Sequence, residues 1–248
     1  MITCKIISIE KLCDEYIELS LQPINLPVYP YLPGQYLNLI INDVQHPFSI
    51  ASSPQDPYIK LHIRLSKNPE QQANNKIIQA IKNSSEIHIS EACGKAYLKE
   101  NNKPIIMIAG GAGFAPMKSM LDYLFHKDNL EKLSESKKIH LFWGTTIKDN
   151  LYAHDAMQDF AKLHANFKYT SVLSEICELD LKSKSELETE HEYGFVIDSV
   201  LRHYKDLSNY QVYMAGPVPM CLDAKDKLLD ANLSKDNLFC DVLDLVSG

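Results

Sequence analysis

Over the first hundred residues, apolar and polar side chains alternate in short runs at 4–9, 16–21, 36–41, 58–65 and 86–89, separated by proline, asparagine and aspartate clusters. A period of two predicts half-buried strands. Within 71–81, Ala73, Ile77, Ile78 and Ile81 share one face at helical spacing, which predicts a single helix there. Several short strands with one helix fit a small barrel or sandwich.

After Asn101-Asn102-Lys103-Pro104 the pattern changes. Residues 105–109 are continuously apolar, as in a strand buried on both faces, and lead through a glycine turn into a helix over about 116–126. A second cycle follows, with a strand at 139–143 and a helix at 151–163. Segments 167–173, 195–204 and 212–215 continue the alternation. Strands and helices taking turns predict a mostly parallel sheet covered on both faces. The boundary falls near 98–104, dividing the chain into 1–100 and 101–248. The stretch 178–192 carries six acidic and two basic residues with little periodicity, and reads as a solvated loop.

Composition narrows the classes. The chain has 248 residues, 45% hydrophobic and 23% charged, which argues against disordered, fibrous and membrane-spanning proteins. Its net charge of −7 disfavours a nucleic-acid binder. Cys4, Cys13, Cys93, Cys177, Cys221 and Cys240 form no Cys-x-x-Cys pair and have no histidines at finger spacing, so no metal or iron–sulfur centre is expected. The chain opens directly on Thr3-Cys4-Lys5-Ile6-Ile7 without leader features. A cytoplasmic protein with reduced thiols is the expectation.

Three segments carry candidate chemistry. Ile105-Ile106-Met107-Ile108-Ala109 runs into Gly110-Gly111-Ala112-Gly113-Phe114-Ala115-Pro116, a strand ending in glycines before a helix. Glycines allow a ligand close to the backbone, and amides at a helix start favour phosphate or pyrophosphate. A tight turn without ligand accounts for the same residues. Pro33-Gly34-Gln35-Tyr36-Leu37, followed by His46-Pro47-Phe48-Ser49-Ile50-Ala51-Ser52, places hydroxyl, aromatic and extended backbone where they could meet the edge of a planar heterocycle. A buried barrel turn is the bland alternative. Val212-Tyr213-Met214-Ala215-Gly216-Pro217-Val218-Pro219-Met220 repeats the strand-to-glycine transition, and two such strand ends in one parallel sheet could wall a crevice.

In this order the segments resemble the ferredoxin–NADP reductase superfamily, most closely its bacterial NAD(P)H-flavin reductase branch. The resemblance spans nearly the whole chain. His46-Pro47-Phe48-Ser49 stands for the family's Arg-x-Tyr/Phe-Ser flavin motif, Gly110-Gly111-Ala112-Gly113 for Gly-Gly-Thr-Gly, and Gly216-Pro217 for the late Gly-Pro motif. Further matches are Glu91-Ala92-Cys93-Gly94-Lys95-Ala96-Tyr97-Leu98, Phe142-Trp143-Gly144 with Leu151-Tyr152, and Phe239-Cys240-Asp241 in place of Phe-Gly-Asp. The implied fold is an N-terminal antiparallel flavin-binding β-barrel followed by a C-terminal α/β nucleotide-binding domain with a mostly parallel sheet.

The implied reaction is hydride transfer from C4 of NADH or NADPH to N5 of a flavin, with the two rings roughly 3–3.5 Å apart and water excluded. On this reading Ser49 and Asp241 are the catalytic candidates. His46, Pro47, Phe48, Ser49 and Ile50 shape the flavin slot, while Gly110, Gly111, Ala112, Gly113, Pro116, Gly216 and Pro217 hold the nicotinamide cofactor. His46 in place of arginine weakens phosphate anchoring, which favours riboflavin, FMN or FAD as a loosely bound substrate. Thr146, where an arginine would suit a 2′-phosphate, leans towards NADH, although Lys148 offers a substitute cation. Reduced flavin would supply a flavin-dependent monooxygenase, a luciferase or ferric complexes.

Two other roles remain: an FAD-containing reductase component of a multicomponent oxygenase with a separate ferredoxin, and a non-catalytic flavin- or nucleotide-binding regulatory subunit. Ser49, His154 and Asp155 do not make a hydrolase triad, because no Gly-x-Ser-x-Gly elbow is present. His62, His88 and His140 read as strand residues, and Met214, Met220 and Trp143 as core.

Overall fold

The computed structural model describes residues 1–26, 28–66, 68, 72–130, 137–175 and 190–243. Cys177, the first residue of the predicted 71–81 helix and most of the 178–192 acidic stretch lie outside them. The chain divides into two compact units, Met1–Lys99 with Ala115–Glu131, and Glu100–Phe114 with Lys132–Gly248.

The first unit is built on six antiparallel strands: β1 (Ile2–Lys11), β2 (Tyr16–Pro23), β3 (Tyr36–Ile41), β4 (Val44–Ser49), β5 (Ile59–Arg64) and β6 (Glu86–Ile89). Their order is β4-β3-β6-β1-β2-β5. Alternation sends Leu19, Leu21, Leu37, Leu39, Ile59, Leu61, Ile63, Ile87 and Ile89 inward, and Ile77, Ile78 and Ile81 of helix α1 (Ala73–Ile81) join the same core. The two outer strands meet where Ile50 bridges Leu61 and the Ala51 N–H donates to the Lys60 carbonyl at 2.7 Å. That junction closes the sheet into a barrel. β3 turns into β4 through Asn42 and Asp43, both at positive φ, the backbone a two-residue hairpin requires.

In the second unit every paired strand is parallel. β7 (Ile105–Gly110), β8 (Ile139–Thr145), β9 (Phe167–Leu173), β10 (Glu192–Tyr193), β11 (Gln211–Ala215) and β12 (Leu238–Phe239) lie in the order β10-β9-β8-β7-β11-β12. All six residues of β7 are buried, as its uninterrupted apolar run requires. Among the described residues the further α-helices are α2 (Phe114–Leu124), α3 (Lys127–Leu130), α4 (His154–Leu163), α5 (Val196–His203) and α6 (Val218–Asp230). Val196, Ile197 and Val200 of α5 and Cys221, Ala224 and Leu228 of α6 pack with Ile106, Ile108, Val212 and Met214 on one face of the sheet. Gly144 makes room for α5, since a Cβ there would stand 2.8 Å from Val196 Cβ. Among the described residues, no helix is long and apolar enough to cross a membrane.

Candidate active site

Strand β4 carries the candidate residues of the barrel unit. It lies at the sheet edge, where Pro47 removes no ladder hydrogen bond that a central strand would need. Ser49 lies directly opposite Tyr36, and Pro47 opposite Asn38, whereas Phe48 and His46 lie opposite the buried Leu37 and Leu39. Opposed residues share a face. The outward face therefore presents Tyr36, Pro47 and Ser49.

Two further residues of the expected flavin slot, Phe48 and Ile50, share the strand's inward side. Phe48 packs against the barrel core, and Ile50 is fully buried within it at the closing bridge. Strand alternation is the cause: Ser49 can face outward only if its neighbours face in. Ile50 thus offers a ligand no side-chain surface. His46 lines a cleft of about 460 Å³ together with Ile41, Val44, Ala73, Lys76 and Ile77. Lys76 brings a cation to that cleft, beside the start of α1.

Just past β4, Ser52 is held by residues that the motif reading did not single out. Ser52, fully buried, accepts hydrogen bonds at its carbonyl from the Tyr31 hydroxyl (3.0 Å) and the Ser119 hydroxyl (2.6 Å), and its Oγ accepts from the Lys60 N–H (3.0 Å). Gly34, at φ +103°, turns tightly against Ala96 and Tyr97. A Cβ there would stand 2.8 Å from the Ala96 carbonyl oxygen. The sequence signal for this brace is weak, because serines and tyrosines are ordinary in β-rich segments.

In the second unit, β7 and β11 are neighbours from which the sheet order runs in opposite directions. This is the switch point where open parallel sheets bind ligands at the strands' carboxyl ends. β7 ends in a 3₁₀ turn, Gly111–Gly113, that opens α2, and β11 ends at Ala215, from which Gly216 and Pro217 lead into α6. Two helix N-termini, each with a partial positive charge, start at adjacent strand ends. Gly111 and Ala112 are half-exposed, as are Ala215 and Gly216, while Pro217 is exposed. This donor set fits a pyrophosphate.

Packing also accounts for three of the glycines. A Cβ on Gly113 would stand 2.0 Å from the Ala215 carbonyl oxygen, one on Gly216 would stand 3.1 Å from Gly110 Cα, and one on Gly110 would stand 2.5 Å from Met220 Sδ. Gly111 needs its φ of +53°. Its carbonyl accepts a 3.0 Å hydrogen bond from Trp143 Nε1, and the Trp143 ring stacks on Phe114 at 4.0 Å. Trp143 is core, as its composition implies, but core that fixes the turn. Pro116 is buried in the first turn of α2, where it has no N–H to offer a ligand.

β12 pairs with β11, and Phe239 stacks on Tyr213 at 4.9 Å, which places the half-buried Asp241 just beyond that pairing. The neighbouring Cys240 is buried. A hydrogen bond to Cys240 and burial hold Cys221 as a thiol, and its Sγ lies 3.6 Å from the Gly216 carbonyl. His62, His88 and His140 lie on β5, β6 and β8. His140 is bonded to the Tyr204 hydroxyl (2.8 Å) and Thr170 Oγ1 (2.9 Å), and burial pushes its pKa down to about 3. His154 has both ring nitrogens engaged, by Tyr169 and Glu190.

The chain joins an antiparallel barrel to a parallel sheet with paired helix starts at its switch point, and its relatives define it as a nucleotide-binding oxidoreductase. Residues 1–115 match the FAD-binding domain family and residues 107–226 the oxidoreductase NAD-binding domain family. A probable flavin reductase of Vibrio harveyi is 30% identical, with 92% of each chain covered. A CDP-6-deoxy-L-threo-D-glycero-4-hexulose-3-dehydrase reductase of Yersinia pestis is 31% identical over 96% of this chain and 67% of its own length. Among solved structures, a Plasmodium falciparum ferredoxin-NADP+ reductase superposes with a TM-score of 0.77 at 20% identity, covering 97% of this chain and 95% of that one. The chain belongs to the family of that Vibrio harveyi flavin reductase, with an FAD-binding domain followed by an oxidoreductase NAD-binding domain.

Proposed function

We propose that the chain is an NAD(P)H-dependent flavin reductase whose flavin, riboflavin, FMN or FAD, arrives and leaves as a substrate. The observation that supports this reading is the pair of helix starts at the β7/β11 switch point, which suits the pyrophosphate of a nicotinamide dinucleotide. Residues 1–100 hold the flavin half and 101–248 the nicotinamide half. When both are bound, nicotinamide C4 supplies a hydride to flavin N5.

The chain's own residues bind and orient. Ser49 hydrogen-bonds the N5 edge, with Tyr36 and Pro47 as its apolar neighbours on the outward face of the hairpin. The Gly111 and Ala112 amides at the entry of α2 and the Gly216-Pro217 turn hold the pyrophosphate and ribose, and Asp241 supplies a carboxylate beyond β12. His46 leaves the flavin without the guanidinium that would clamp a phosphate, so turnover of the flavin itself follows. Lys76 retains modest attraction for a flavin phosphate. Reduced flavin passes to an acceptor such as a flavin-dependent monooxygenase, a luciferase or a ferric complex, in the cytoplasm.

Steady-state oxidation of NADH and NADPH with and without riboflavin, FMN or FAD tests the reading. Oxidation that requires added flavin and saturates with it is expected. Tight flavin binding without oxidation of either nicotinamide would contradict it and point to a regulatory subunit.

A further inference from the structure

We infer that His154, Glu190 and His191 form a binding site for a divalent transition metal of the zinc class. Their ligand atoms all lie within 4.8 Å of one another. His154 begins α4, and Glu190 and His191 immediately precede β10, so a separation of 36 positions hides the group from any spacing motif. This explains why the cysteine and histidine spacings predicted no metal.

The geometry is that of ligands facing one point. Nε2 of His154 stands 3.0 Å from Glu190 Oε1, and Nε2 of His191 stands 3.6 Å from Glu190 Oε2. Two ligands at about 2.0–2.1 Å from a tetrahedral ion are about 3.3 Å apart. The two rings lie 4.7 Å apart between centroids, and both histidines are buried.

Each ring is oriented through its other nitrogen. Tyr169 Oη lies 3.0 Å from His154 Nδ1, and Ser171 Oγ lies 2.7 Å from His191 Nδ1. The Ser171 hydroxyl also donates to the Glu190 carbonyl at 3.3 Å, so one side chain positions both His191 and the backbone of Glu190. Metal-binding histidines are held in this way, by hydrogen bonds at the nitrogen that does not ligate.

Two imidazoles and one carboxylate select zinc, cobalt or nickel over magnesium or calcium, which take oxygen ligands. Three protein ligands leave a fourth position for water. Lys148 Nζ, 3.0 Å from Glu190 Oε2, competes for the carboxylate, and Gln158 Nε2 donates to Oε1 at 3.3 Å. Lys148 is more than half exposed and free to turn into solvent once a metal arrives. The bound ion would tie the start of α4 to the segment entering β10.

The test is titration of the chelator-stripped full-length chain with Co²⁺, followed by its visible d–d absorption, and with Zn²⁺, followed by thermal melting. Saturable 1:1 absorption and a raised melting temperature are expected. His154→Asn and His191→Asn, which keep an amide near the position of Nδ1, should each weaken binding at least ~10-fold. Lys148→Ala should tighten it, whereas a network that is merely structural would only loosen. Should either histidine variant fail to fold, Glu190→Gln, at a half-exposed position, should show the same weakening. No saturable absorption, absorption with thiolate charge-transfer character, or binding indifferent to these substitutions would overturn the site.

Discussion

The two units present ligands by opposite means. On the barrel's edge strand the candidate groups are side chains on an exposed face: Ser49, Pro47 and Tyr36 outward, with His46 and Lys76 at a neighbouring cleft. At the switch point of the parallel sheet the groups are backbone, and side chains are excluded because two turns touch there. Trimming should therefore tell in the barrel, and adding atoms should tell in the sheet.

The largest effect should come from Gly113→Ala. With the Ala215 carbonyl oxygen 2.0 Å from the new Cβ, one strand end must move. We expect a loss of roughly 3 kcal/mol in stability, read by denaturant melts, and at least ~100-fold in kcat/KM for NADH, since small misplacements are this costly. A fully stable, active variant would break the contrast. Ser49→Ala is its counterpart. It should lower kcat about tenfold, the worth of one hydrogen bond, while leaving the melting temperature unchanged.

Acid provides a third probe. Burial holds the His140 pKa down at about 3, below the ordinary 6.5, so the neutral ring's contribution is complete above about pH 6.5 and is lost as pH falls towards 3, while the unfolded chain takes up the proton. Stability should fall by up to about 1.4 kcal/mol per pH unit across that window, and His140→Gln should flatten the slope. The smallest effect belongs to Lys76→Ala. It should raise KM for FMN several-fold, less so at high salt, and leave KM for riboflavin unaltered.

Legibility in the sequence followed the same contrast. Alternation marked β2, β3, β5 and β6 because Leu19, Leu37, Leu61 and Ile87 occupy every second position beside Glu18, Asn38, His62 and His88. β4, an edge strand with proline and histidine, lacks that alternation and is marked only by its Ser49 motif. The two-residue strands β10 and β12 are too short to carry one. The helix predicted over 116–126 begins at Phe114, because the glycine turn winds directly into it.

At the site, sequence located both glycine turns and the serine strand but not what holds them. Trp143 Nε1 on Gly111 and the Ser52 carbonyl with its two hydroxyl donors are long-range contacts between ordinary residues, which no spacing rule records. For Gly110, Gly113 and Gly216 it left ligand approach and a tight turn both open, and packing by itself requires glycine at all three. Compactness of two turns and closeness to a ligand demand the same residue.

The central claim is that flavin is a passing substrate, and the most direct measurement is the visible spectrum of the purified chain after gel filtration, followed by equilibrium dialysis against FMN. A colourless chain that binds and releases FMN reversibly is the predicted result. A yellow chain that retains one flavin per molecule through both steps would contradict it, and would make the chain a flavoprotein reductase component in which His46 does not weaken the hold on flavin.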